Sequence, residues 1–203
     1  MSTQTAADWK ADPTGADYDS VRDRLVDAAE SLVRERGIAG LRQDAVAERA
    51  GLSRSSVYRY FDSKDDLVMA AVVRSTLRIG QQVIDAIGPD AGPEEFLVRG
   101  IVESIRAMAA DPLHQALTVP SSTRRMTDLT ATALREGVGP LVEPVLAAAE
   151  ARGLLRAGVT RDDLVRWLQV VALGLMESPG IVRTTDELER LLRVMLVPAV
   201  VVE

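Results

Sequence analysis

Between Gln43 and Leu67 the chain is punctuated so closely that only short helices fit. Val46, Ala47 and Ala50 share one helical face over about Gln43 to Ala50, and Gly51 stops that helix. Ser53 is placed to cap a third helix of under ten residues. Phe61-Asp62 breaks it, and Ser63 with Asp66 three residues on has the capping-box pattern that opens a fourth. Two short helices joined by a glycine-containing turn make a helix-turn-helix pattern.

At about 100° per residue, Val57 and Phe61 define the inward face of the third helix. Ser55 and Arg59 then point outward, Arg54 and Tyr58 lie on one flank, and Ser56 and Tyr60 lie on the other. The chain has seven aromatic residues, and Tyr58, Tyr60 and Phe61 fall within four positions of one another. A phenol can donate to a phosphate while its ring packs on protein. Arg54 and Arg59 can present paired donors to guanine edges, Ser55 permits close approach, and Ser53 and Ser56 can bond phosphates or bases. Lys64, one of two lysines in the chain, sits at a helix N-terminus where backbone amides already favour an anion. Arginine and tyrosine are also ordinary on a solvated face. The agreement of turn, caps, core face and outward stripe is what points to DNA.

The net charge of −6 argues against nucleic acid only if its distribution is ignored. Residues 20–74 carry ten basic and nine acidic side chains, against 14 and 21 in the remainder. A local cationic face survives on an acidic chain. With no cysteine and one histidine, His114, disulfides, thiol chemistry and multi-histidine metal sites are excluded. No cofactor is expected. No apolar run reaches the roughly 18 residues of a membrane span, and the N-terminus has no secretory pattern, so a cytoplasmic, nucleoid-associated location is expected. No nucleophile–base pair or phosphate-binding glycine loop is signalled, so no enzyme is expected.

The segment VAERAGLSRSSVYRYFDSKDDL strongly resembles the helix-turn-helix signature of TetR-family transcriptional regulators. Val46-Ala47, Ala50-Gly51-Leu52-Ser53, Val57-Tyr58, Tyr60-Phe61, Ser63-Lys64 and Leu67 carry the match, over about residues 19–70. The resemblance implies that positions matching Tyr58, Tyr60 and Lys64 hold phosphates and those matching Arg54, Ser55 and Arg59 face bases. Many members place a threonine cap at the start of the second helix. Here Arg42 stands there, unable to cap as an acceptor but able to reach a phosphate.

The remainder reads as helices, with no sustained strand alternation. The expected fold is all-α: a tail over 1–18, a helix-turn-helix domain over 19–68, and a larger helical bundle over 69–203 for ligand binding and dimerisation. Individual helices are expected from Asp19, from Pro93 to about Ala110, from Pro112, near Met126–Glu136, from Thr160 to about Ser178, and from Thr184 or Thr185. Residues 162–176 and 187–201 are apolar nearly all around, and a helix apolar on every side must be buried on every side. A partner subunit is the expected cover, through Leu164, Leu168, Val171 and Leu175 of one helix and Leu188, Leu191, Leu192 and Met195 of the other. The resemblance implies the same pairing in a homodimer. It also implies a small-molecule pocket in the bundle, for which Ile105, Met108, Leu113, His114, Leu117, Met126, Leu129 and Trp167 are the candidate lining; methionine and tryptophan suit an apolar effector. The expected function is a ligand-responsive repressor of a near-palindromic double-stranded operator, and the alternative is an architectural DNA-binding protein.

Overall fold

The computed structural model describes residues 15–88, 90–117, 139–140, 142–144, 146–178, 180 and 184–202. Its elements are α1 (Gly15–Arg36), α2 (Gln43–Ala50), α3 (Arg54–Tyr60), α4 (Lys64–Ile87), α5 (Pro93–Ala110) and α6 (Pro112–Leu117). Helical residues follow within 139–151. Then come α7 (Arg161–Glu177) and α8 (Thr185–Leu191), which runs through a π turn (Leu192–Leu196) into α9 (Val197–Val200). Among the described residues there is no strand, only one isolated antiparallel bridge between Leu155 and Val201. The expected helix near Met126–Glu136 lies outside the described residues.

The helix boundaries follow local chemistry. Ser53, Ser63, Thr160 and Thr184 each accept a hydrogen bond from the backbone amide three residues on. At Thr160 the Asp163 carboxylate reaches back to complete a capping box. Gly51 takes a left-handed φ of 65°, and its amide and that of Leu52 close onto Glu48 and Ala47. A side chain would be strained there, so glycine is what lets α2 end and α3 begin three residues later. The first helix starts earlier than expected. α1 is helical from Gly15, not Asp19, so part of the expected 1–18 tail is helix.

One core unites α1–α4. Leu25, Val26, Ala29 and Leu32 of α1 meet Val46, Val57, Phe61, Leu67, Val68 and Ala71, all 4% exposed or less. Leu113 of α6 is fully buried in this same core. A second core joins Leu97, Val98 and Val102 of α5 to Leu146, Leu164, Leu188, Leu192, Leu196 and Val200. A small third cluster packs Ile79, Val83 and Ile87 of α4 on Met108 of α5. The π turn keeps its register in the second core. A spacing of four residues overshoots a 3.6-residue turn by about 40° each time. A wider turn at 192–196 offsets part of that drift, and Leu188, Leu192, Leu196 and Val200 all stay buried.

The chain's own core takes up part of the expected dimer surface. Leu164, Leu188 and Leu192 are 2%, 8% and 3% exposed and belong to the chain's own core. Leu175 is half-buried against that core, Val171 and Leu191 are half-buried, and Leu168's side chain lies outside the described residues. Met195 is 69% exposed, beside Val194 at 61%, and Val170 and Trp167 of α7 are exposed as well. A helix apolar all around offers two stripes, and periodicity does not say which one the chain uses itself.

Candidate nucleic-acid interface

α3 presents the outward stripe as its spacing requires. Val57 is fully buried and Phe61 is 4% exposed, while Arg54, Ser55, Tyr58 and Arg59 are exposed. The Ser53 hydroxyl lies 2.8 Å from those of both Ser55 and Ser56 and accepts the Ser56 amide at 3.1 Å. Three hydroxyls thus cluster at the N-terminus of the helix. Arg54 donates from Nη2 to the Tyr58 hydroxyl at 3.3 Å, and its guanidinium sits 5.7 Å from the centre of that ring. Its Nε lies 3.2 Å from Asp44 Oδ1. The Tyr58 hydroxyl, followed by Asp44, raises the Arg54 pKa, so the guanidinium stays charged. Tyr60 is half-buried with its ring 4.4 Å from that of Tyr18 in α1. Lys64 is the first residue of α4, in the turn capped by Ser63. Arg42 occupies the residue before α2 without capping it, as its chemistry requires, and lies 3.5 Å from Asp44 Oδ2.

The two short helices are tied to α1. Arg49 of α2 pairs with Glu35 and donates to the Ser31 hydroxyl at 2.6 Å. That hydrogen bond from Arg49 holds the Glu35 carboxyl below its ordinary range. Arg24 donates to the Ala50 carbonyl at 2.5 Å, taking up one of the carbonyls left open at the end of α2. The reading face is therefore braced from behind.

Residues 25–71 match the model of the bacterial regulatory proteins of the tetR family. Those residues are similar to the helix-turn-helix segment of the TetR family. The chain is 36% identical over 104 residues to an uncharacterized HTH-type transcriptional regulator of Mycobacterium tuberculosis, covering 48% of this chain and 52% of that one. It is 33% identical over 129 residues to the HTH-type transcriptional repressor KstR of Rhodococcus jostii, covering 63% and 58%. The chain thus spans little more than half the length of these curated relatives. The structure of RolR in complex with resorcinol superposes with a TM-score of 0.67 over 92% of this chain and 90% of that one, at 16% identity, a likeness of fold alone. The relatives are transcriptional regulators, not enzymes.

A buried polar network lies behind the helix-turn-helix, and sequence reasoning missed it. Glu30 of α1 is 3% exposed and accepts from Arg34 at 2.8 Å and from Arg74 and Arg78 of α4 at 2.9 and 3.3 Å. Burial alone would raise its pKa; the hydrogen bonds from Arg74 and Arg34 outweigh it and hold the carboxyl below its ordinary range. Arg78 donates to the Ser75 hydroxyl at 3.0 Å, and Ser75 donates to Asp111 Oδ2 at 3.1 Å. Asp111 Oδ1 accepts the amides of Leu113 and His114 at the start of α6. The Thr76 hydroxyl donates to the Val72 carbonyl, so it receives the hydrogen of His114 Nε2 at 3.1 Å. His114 Nδ1 is left buried without a hydrogen bond, 3.4 Å from Asp111 Oδ1. The only sequence signal for any of this was the i,i+4 pair Glu30 and Arg34.

The expected effector lining is dispersed. Leu113 belongs to the first core, Met108 to the third, and Ile105 packs against the second. His114 is committed to Thr76, and Trp167 is 38% exposed. Met126, Leu129 and the side chain of Leu117 lie outside the described residues. No motif marks an effector pocket, so apolar character alone picked residues that serve three separate cores.

Proposed function

We propose that this chain is a ligand-responsive transcriptional repressor that acts in the cytoplasm. It binds a near-palindromic operator as a homodimer through α3, and a small apolar effector held in the helical bundle releases it. The outward face of α3 carries this reading: two exposed arginines, three clustered hydroxyls and an exposed tyrosine on a braced short helix. Arg54, Ser55 and Arg59 face base edges in the major groove, while Arg42, Ser53, Ser56, Tyr58, Tyr60 and Lys64 bind phosphates or neighbouring edges. The exposed apolar side chains of Trp167 and Val170 on α7 and of Val194 and Met195 on the π turn support a second copy as their cover. Two reading helices then meet successive major grooves about 34 Å apart. Repression and effector response draw on relatives alone. KstR is named a repressor, and the RolR structure holds resorcinol.

The test is retention of sheared genomic DNA from the source organism by the purified full chain. Enrichment of a few sites sharing an inverted repeat is the expected result. Broad retention without a motif would favour the architectural alternative, and no retention at low salt would remove the DNA-binding reading.

A further inference from the structure

An acidic side chain stands among the cations of the reading face. Asp44, in the first turn of α2, is 45% exposed, and its two oxygens address different arginines. Oδ1 is 3.2 Å from Arg54 Nε, and Oδ2 is 3.5 Å from Arg42 Nη2. A carboxylate beside a polyanion weakens binding by simple repulsion. An exposed ion pair adds little to fold stability, so stability does not account for the arrangement. A carboxylate in a first turn also favours the helix dipole, but that requires neither arginine.

Arg54 lies between two partners: it forms an ion pair with Asp44, whose Oδ1 is 3.2 Å from its Nε, and it donates from Nη2 to the Tyr58 hydroxyl. A guanidinium is planar, so one directed N–H bond and an ion pair beside Nε restrict its plane and leave the terminal edge as a paired donor. That edge matches O6 and N7 of guanine. On arbitrary DNA, Arg54 gains most by swinging to a phosphate. To do so it must leave Asp44, whose carboxylate then keeps only the long contact to Arg42 close to the backbone. On a site with guanine at the matching position it keeps Asp44 and Tyr58 and meets the base without further ordering, which removes part of the entropic cost of binding. The same carboxylate therefore penalises wrong DNA more than right DNA.

We propose that Asp44 is a positioning and specificity-determining residue: it orients Arg54 toward one guanine per half-site and withholds it from phosphates. This rests on the DNA-binding reading above. Asp44 never touches a base itself.

The experiment uses the full chain as wild type, Asp44→Asn, Asp44→Glu and Arg54→Ala. Each is put through parallel selection from a randomised duplex library, then titrated with one fixed mixed-sequence duplex at several salt concentrations. Arg54→Ala is expected to lose base preference at one symmetric position of the enriched motif. Asp44→Asn is expected to lose preference at that same position, lowering discrimination about tenfold, while binding the fixed duplex several-fold more tightly at low salt. Asp44→Glu retains the carboxylate and is expected to recover part of the preference. An unchanged Asp44→Asn motif, or equal weakening toward selected and fixed duplexes, would overturn the proposal and leave DNA binding standing. If wild type retains no duplex at low salt, both fail together.

Discussion

Tyr58 and Tyr60 lie two residues apart on one short helix, and their surroundings divide their work. Tyr58 is exposed and receives Arg54 on its hydroxyl; Tyr60 is half-buried, with its ring on Tyr18. Between them Arg59 points straight outward. Arg59→Ala is expected to lower discrimination between operator and random duplex by about 1–3 kcal/mol, whereas Lys64→Ala weakens both alike and reduces the salt slope by about 1 per protomer. Titrations of the two duplexes across salt would check this, and an Arg59→Ala protein with unchanged discrimination would mean that α3 meets DNA on a different face. The face itself was legible in sequence, because a 100° step from Val57 and Phe61 leaves one outward solution. The Asp44–Arg54 pair and the Tyr18–Tyr60 ring contact were not, since each joins different helices whose mutual angle local periodicity does not set.

At the scale of the element, α4 carries polar partners on its inner side as well as core. Its Arg74, Ser75, Thr76 and Arg78 meet Glu30 of α1 and, beyond a short break, Asp111 and His114 before and within α6. Burial pushes the His114 imidazole below its ordinary pKa; the Asp111 carboxylate opposes this, and nearby Arg78 adds to it. The charged form of His114 is thus disfavoured in the fold. Below about pH 6.5 the unfolded chain binds more protons there, so this stability is complete above that pH and is lost as pH falls toward the folded value. Glu30 and Asp111, both held below the ordinary carboxylate range, add a further loss at lower pH, as the unfolded carboxyls begin to protonate near 4. Thermal melts of wild type are expected to fall from pH 7 to pH 5.5, with a flatter slope for His114→Gln; parallel slopes would rule out His114 as the sensitive group. The helix ends here were readable from Gly88, Pro93 and Asp111-Pro112. The network was not, because a buried histidine and a surface histidine look alike in sequence.

At the scale of the whole molecule, Trp167, Val170, Val194 and Met195 are exposed, and they are the face assigned to the proposed dimer. The double change Val170→Glu with Met195→Glu is expected to give a monomer by sedimentation, with unaltered helical content. Operator affinity should fall at least about a hundredfold, because the second head no longer binds as an intramolecular event. A dimer that persists would place the twofold contact elsewhere. The pattern from which a partner was expected is visible in the two all-apolar helices. The stripe left for it was not, because Leu164, Leu188 and Leu192 satisfy the same pattern from the inside.

Leu113 gives the molecule a different kind of boundary from the one its sequence suggests. It comes from α6, far down the chain, yet it completes the core of the reading head, and Asp111 beside it joins the Arg78–Glu30 network. The first core is therefore discontinuous in sequence: it joins α1 through the first half of α4 to Leu113 of α6. A chimera that grafts a foreign head at residue 68 would inherit a socket shaped for another plug. Exchange of reading heads between such regulators, in evolution or at the bench, is then constrained by whether Leu113 and its neighbours travel with them.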